Sequence, residues 1–547
     1  MKHRAHISLP IAASAMLLLA SAAAAQTDVS EFETSLDPGY GVTPAPEPEP
    51  AKPELRGKIS VGDISGKTVP ISHINFVGTD VPENVSQAAE SFLGRPADIK
   101  TLKALADAMT KAYQVSPVAL FSLAIPNQNI ADGTIDVLVA EGHLNKLVIK
   151  ENGELKERPL LRGYLEAPFS EKPTKRSSYE RGLSLATRIP GVETEPKLTS
   201  SSEPSTLNIL LETKPRKRKI YAGYDSRESR LLDGGRVSAG GTLYNNILYG
   251  DELRGHILAT PDFEQSRLAE IAYRAPAGSN GTLAEVAAVY QQTRPSSIVV
   301  EGEATRIVGA VSHPLLIDFR KQILLNARVD HSRITNAAFG SVFAGDRLTA
   351  ARLGLSGQKT SESRALAGDM TFSKGLSAAG AETATPQAIP DFQKLLASTR
   401  YVQKLGKQGL LRLSATGQWA DDVLPASERF LIGGTQYGRG FENGLVALDQ
   451  GYAASIEPAW KPLTDGPLKA SEIYVFGDYG GGSINAIGSL LDNVTMGSAG
   501  FGARIAWKKT GSLGLEFAQP FDQPVTGLSD DPIISVSWAF KYQPGDT

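Results

Sequence analysis

The sequence predicts a transmembrane antiparallel β-barrel of about 16 strands preceded by two small α+β modules. Three observations carry that prediction: an export signal at the N-terminus, two successive rounds of strand and helix patterning, and a long C-terminal stretch of alternating segments without helical periodicity.

Lys2, His3 and Arg4 precede an apolar run through Met16-Leu17-Leu18-Leu19, and Ala23-Ala24-Ala25 before Gln26 offers an A-x-A cleavage site. This is the layout of a secretory signal peptide over residues 1–25; the apolar run is short for a bilayer-spanning anchor, the alternative reading. The exported chain has no cysteine, so packing and backbone pairing must hold it together. A net charge of -3 and a pI near 6.2 supply no basic field, and no nucleic-acid partner is expected. A mean hydropathy of -0.16 does not argue against a barrel, because alternating strands average lipid-facing with lumen-facing side chains.

Residues 26–67 carry Pro44, Pro46, Pro48, Pro50 and Pro53 among Glu and Ala and read as an extended linker. Residues 68–143 form the first module. A strand is expected over Val69 to Val77, a helix from Pro82 to Leu93, and a second helix N-capped by Asp98. There Ile99, Leu102, Ala106, Met109 and Tyr113 make one apolar stripe. Strands Val118 to Ile125 and Thr134 to Val139 follow, separated by a turn ending in Asp132-Gly133. Residues 144–214 repeat the order: a strand at Leu147-Val148-Ile149, a short helix from Leu160 to Leu165, a helix stripe of Tyr179, Leu183 and Ala186 stopped by Pro190-Gly191, then strands Val192 to Leu198 and Leu207 to Glu212.

Residues 215–547 are the predicted barrel. Leu411, Leu413, Ala415, Gly417 and Trp419 alternate with Arg412, Ser414, Thr416 and Gln418; Phe501, Ala503, Ile505 and Trp507 alternate with Gly502, Arg504, Ala506 and Lys508. Ile534, Val536, Trp538 and Phe540 repeat the pattern. An apolar face ending in aromatics suits lipid, and a small or charged face suits a wet lumen. A soluble all-β domain shares the alternation, but the 333 residues after Lys214 are too many for one sandwich and suit roughly 16 strands.

The histidines are scattered without ligand-like spacing, and there is no G-x-S-x-G elbow, phosphate loop or cysteine nucleophile. No metal, no cofactor and no enzymatic activity are expected. The sharpest feature is Gly433-Gly434 followed by Tyr437-Gly438-Arg439-Gly440-Phe441, a glycine-rich loop around one arginine. From Glu472 to Asp478, parity sets Glu472, Tyr474, Phe476 and Asp478 on the more polar face, so Asp478 is a candidate lumenal partner for Arg439. On spacing alone, a solvated arginine in a mobile extracellular loop is the simpler reading.

The order of segments resembles the two-partner secretion (type V b) outer-membrane transporters, the family of haemolysin secretion/activation proteins. The segment Ile125-Pro126 through Asp132-Gly133-Thr134 to Val139-Ala140-Glu141-Gly142 is similar to the family's proline, D-G turn and V-x-E-G end. Arg188-Ile189-Pro190-Gly191-Val192 resembles its second-module helix end, Arg439-Gly440-Phe441 its R-G-[YF] loop tip, and Phe476-Gly477-Asp478 its F-x-D strand motif. The resemblance implies two periplasmic POTRA domains that recognise an unfolded exoprotein, adhesin- or haemolysin-like and encoded nearby. It further implies a barrel in the lipids of the outer membrane that exports this client, with Arg439 received by Asp478. The family often has an N-terminal plug helix, for which residues 26–43 offer few apolar groups. It also usually ends on an aromatic read by the barrel-assembly machinery; here Phe540 closes the last strand, with Tyr542 the other candidate. An assembly factor of the same superfamily and a passive porin are the rival readings.

Overall fold

A computed structural model describes residues 59–543 apart from 66–68, 204, 228–231, 233, 297–298, 340, 487–492, 509 and 526–527. The signal peptide, most of the linker and the region of a plug helix lie outside the described residues.

In the first module, Ile59–Val61, Phe121–Ile125, Thr134–Glu141 and His73–Val77 form one sheet in that order. Helices Glu83–Glu90 and Ile99–Gln114 cover one face. Asp98 caps the longer helix as expected, its carboxylate accepting from the Thr101 amide at 2.7 Å. Of the expected stripe, Leu102, Ala106, Met109 and Tyr113 are buried against Leu123, Ile135 and Val137, whereas Ile99, at the start of the helix, is exposed. Several boundaries differ from expectation: the first helix ends at Glu90 and not Leu93, and the strand expected from Val118 starts at Phe121. The first strand starts at His73 and not Val69, because Pro70 forms a single bridge with Pro96 and the Ile71 amide bonds to the Arg95 carbonyl. The sheet also takes in Ile59–Val61, paired with Leu123 to Ile125, within the stretch read as linker.

The second module repeats the topology. In both, the first long strand pairs in parallel with the third, and the third pairs antiparallel with the second: His73–Val77, Thr134–Glu141 and Phe121–Ile125 in one, and His143–Glu151, Thr206–Pro215 and Val192–Ser200 in the other. Its helix Arg176–Thr187 faces two ways. Arg176 donates to the carbonyls of Tyr113, Ser116 and Val118 in the first module. Arg181 donates to the carbonyls of Pro314 and Asn280 in the barrel, and Ile317 joins the second module's apolar core. The turns met by this helix therefore lie on the module side of the barrel.

Sixteen antiparallel strands from Arg218–Asp225 to Ile533–Tyr542 close on themselves, the first pairing with the last. Closure leaves no open edge in lipid. Ile271, Val286, Ile307, Leu353, Val475 and Phe501 are exposed on the outer face, as are all four tryptophans. Trp460 and Trp507 end strands at module-side turns and Trp419 ends one at the opposite rim, the placement of interfacial aromatic girdles. Phe540 is exposed on this outer surface, paired with Ala222 and Gly511.

Candidate functional site: a loop folded into the lumen

Between strands Gly409–Trp419 and Gln450–Trp460, residues 420–449 leave the rim opposite the modules and fold back inside the barrel. A short hairpin, Phe430–Ile432 with Val446–Leu448, forms its shaft. Buried Asp449 ties off the root, accepting from the amides of Leu424 and Asn485 and from Arg429. Tyr437 and Phe441 are buried with Ile432, Val446 and Met496. At the tip Gly438 is left-handed (φ 70°), a conformation that L side chains rarely adopt. At Gly440 a Cβ would stand 2.8 Å from the Pro520 nitrogen and 2.9 Å from the Ser498 Cβ, so the tip approaches the wall too closely for a side chain there.

These glycines deliver Arg439 to Asp478. Its Nε and one terminal nitrogen donate to the two carboxylate oxygens at 2.9 and 3.0 Å, a bidentate pair, and its backbone amide adds a third bond at 3.2 Å. The other donors reach Glu457 at 2.9 Å, Glu516 at 3.3 Å and Ser455 at 3.1 Å. The five guanidinium N–H groups therefore have five acceptors, and the cation lies 3.5 Å over the Phe476 ring centroid. Arg439 is 5% exposed and Asp478 1%. Removing Arg439 would leave Asp478 buried without a cation, and removing Asp478 would strip Arg439 of its bidentate partner while Glu457 and Glu516 remain.

The wall around this pair is a network. Glu516 accepts from Arg227 at 2.5 Å and Tyr474 at 2.7 Å, and Arg227 donates to the Arg439 carbonyl at 2.8 Å. Glu457 accepts from Arg504 and Arg412, which also bind Glu472. Tyr437, Gly438, Arg439, Gly440, Phe441, Phe476 and Asp478 thus come together in one place. Phe540 does not join them. The sequence reading passed over Glu457 and Glu516, although parity marks both: each is a carboxylate on the lumenal register between lipid-side neighbours, Ile456 and Pro458 or Leu515 and Phe517. Arg227 lies just past the end of its strand and carried no such signal.

A closed 16-stranded barrel carrying an inward loop and two periplasm-facing modules defines an outer-membrane transporter of the POTRA-and-barrel class. The chain belongs to the haemolysin secretion/activation protein family ShlB/FhaC/HecB, whose model matches residues 209–504; the ShlB-type POTRA domain matches residues 69–142. It is therefore a two-partner secretion transporter by family, placed in the outer membrane with its POTRA domains in the periplasm. It is similar to the heme/hemopexin transporter protein HuxB of Haemophilus influenzae, strain 86-028NP, at 21% identity over 469 residues, 81% of this chain and 82% of that one. In fold it is similar to CdiB from Escherichia coli (TM-score 0.69, 16% identity, covering 96% and 98% of the two chains). It also resembles BamA from Haemophilus ducreyi lacking POTRA domains 1–3 (TM-score 0.51, 14% identity, 87% and 100%).

Proposed function

We propose that this protein captures one unfolded exoprotein in the periplasm through its POTRA domains and exports it through the barrel without catalysis of its own. The observation that carries the reading is the loop seat: the lumen is occupied by a segment held at its tip through charge pairs, which water and a passing polar chain can replace. Val192–Ser200 and His73–Val77 each lie at the edge of their sheets, and an edge strand can accept an extended client as an added strand. With no nucleotide in the periplasm, folding of the client outside would supply direction. By the same reading, the barrel-assembly machinery inserts the protein using Phe540 or Tyr542.

The test is deletion of the gene. The exoprotein encoded beside it should disappear from the cell surface while other outer-membrane proteins keep their levels. A general fall in those proteins would instead support the assembly-factor reading, which draws on the fold likeness to BamA. Unchanged surface exoprotein would contradict the proposal.

A further inference from the structure

The loop is gripped at a second place, on a different arc of the wall, with the polarity reversed. Glu428 ends the short 3-10 turn Ala426–Glu428 near the loop's root and is 4% exposed. Its carboxylate takes both terminal nitrogens of Arg352, at 3.0 and 2.7 Å, and Lys394 Nζ at 2.9 Å. Lys394 also donates to the Glu428 carbonyl at 2.8 Å, and Gln418 to the same carbonyl at 3.1 Å. Behind them, Arg352 bonds to Asp330 at 2.7 Å, and Asp330 in turn holds Arg306. These partners stand on the strands Val300–Ile317 through Gly409–Trp419, whereas Ser455, Glu457, Asp478 and Glu516 stand on Gln450–Trp460 through Gly511–Asp522.

One end of the loop thus presents a cation to carboxylates, and the other presents a carboxylate to cations. Neither end can sit in the other's place without bringing like charges together, so the pair of clamps fixes the loop's direction and register as well as its depth. We propose that Glu428 is a second anchor of the loop, a positioning residue that holds its root against Arg352 and Lys394 so that Arg439 arrives at Asp478. Lys394 is the informative wall partner, since its charge and its donors are spent on Glu428, while Arg352 also ties the wall to itself through Asp330 and Ser373.

The test is single-channel conductance of the full-length protein in planar bilayers, with heat-modifiable migration as the check that the barrel has assembled. Glu428→Gln and Lys394→Met should each raise the mean conductance about twofold or more as the loop leaves the lumen. The double variant should go no further than Glu428→Gln alone, because that change already removes the carboxylate charge that Lys394 pairs with. Lys394→Arg should stay near the parent. If Glu428→Gln fails the assembly check, Lys394→Met against Lys394→Arg carries the test. Unchanged conductance in the assembled single variants, or fully additive effects in the double, would overturn the anchor. Only the effect on secretion rests on the translocator reading: raised conductance with normal export would keep the anchor and count against that reading.

Discussion

The interior of the first POTRA domain and the interior of the barrel are built from different materials. The domain buries Leu102, Leu105, Met109, Tyr113, Leu123 and Ile135 in one apolar cluster. Around the loop tip the barrel buries Arg439, Asp478, Glu457, Glu472 and Arg227, joined by ion pairs. An apolar core loses its stabilisation steadily as it opens to water. A charge network is costly to leave half-made but can be exchanged wholesale for water or for another polar chain. The domain is therefore suited to stay folded, and the loop seat is suited to be vacated, as the proposed function requires.

The largest expected effect comes from breaking the seat on its wall side. Asp478→Ala should destabilise the seated loop by about 3–5 kcal/mol, because Arg439 keeps its charge and loses its bidentate partner. Trypsin added to the outside of intact cells should then cleave after Arg439, which is shielded in the parent; resistance equal to the parent would show that the seat does not depend on Asp478. Breaking the apolar side of the comparison should cost about 2–5 kcal/mol: Leu102→Ala opens a cavity in the first POTRA domain and should raise its protease sensitivity while leaving heat-modifiable migration of the barrel intact. Loss of both together would mean that the two regions are not energetically separate.

A smaller effect sharpens the contact between domain and barrel. Arg181 donates to two barrel carbonyls at 3.1 and 2.9 Å, and Arg181→Ala should loosen the second POTRA domain by about 1 kcal/mol. A distance distribution between spin labels on that domain and on a module-side barrel turn should broaden, and the cysteine-free chain gives no background labelling. The smallest effect is a pH dependence within the first domain. Burial raises the Glu141 carboxyl above the ordinary glutamate range, opposed by the Tyr113 hydroxyl that donates to it at 3.1 Å. A raised acid holds its proton more tightly folded than unfolded, so its contribution is complete below the unfolded value and is lost as pH rises through the folded value. Glu141→Gln should flatten that slope in urea titrations of the domain across mildly acidic pH; an unchanged slope would remove Glu141 as its source.

Much of this was legible in the sequence because strand parity and helix stripes are local. The Leu411 to Trp419 alternation, the Asp98 cap and the lumenal side of Asp478 each follow from neighbours a few residues away. The family resemblance supplied the pairing of Arg439 with Asp478, which spacing alone disfavoured. Ile59–Val61 was not legible, since three residues gain strand character only by pairing with Leu123 to Ile125, more than sixty positions on. Glu428 was equally silent: it sits in a single 3-10 turn, and its wall partners come from strands far apart in sequence.

On the proposed function, Arg439 seats the loop for export and is not part of what assembles the barrel. Arg439→Ala measures this directly, with export of the neighbouring exoprotein and heat-modifiable migration read in the same cells. The variant should show a fully assembled barrel and no exported partner. An assembled barrel with normal export would contradict it.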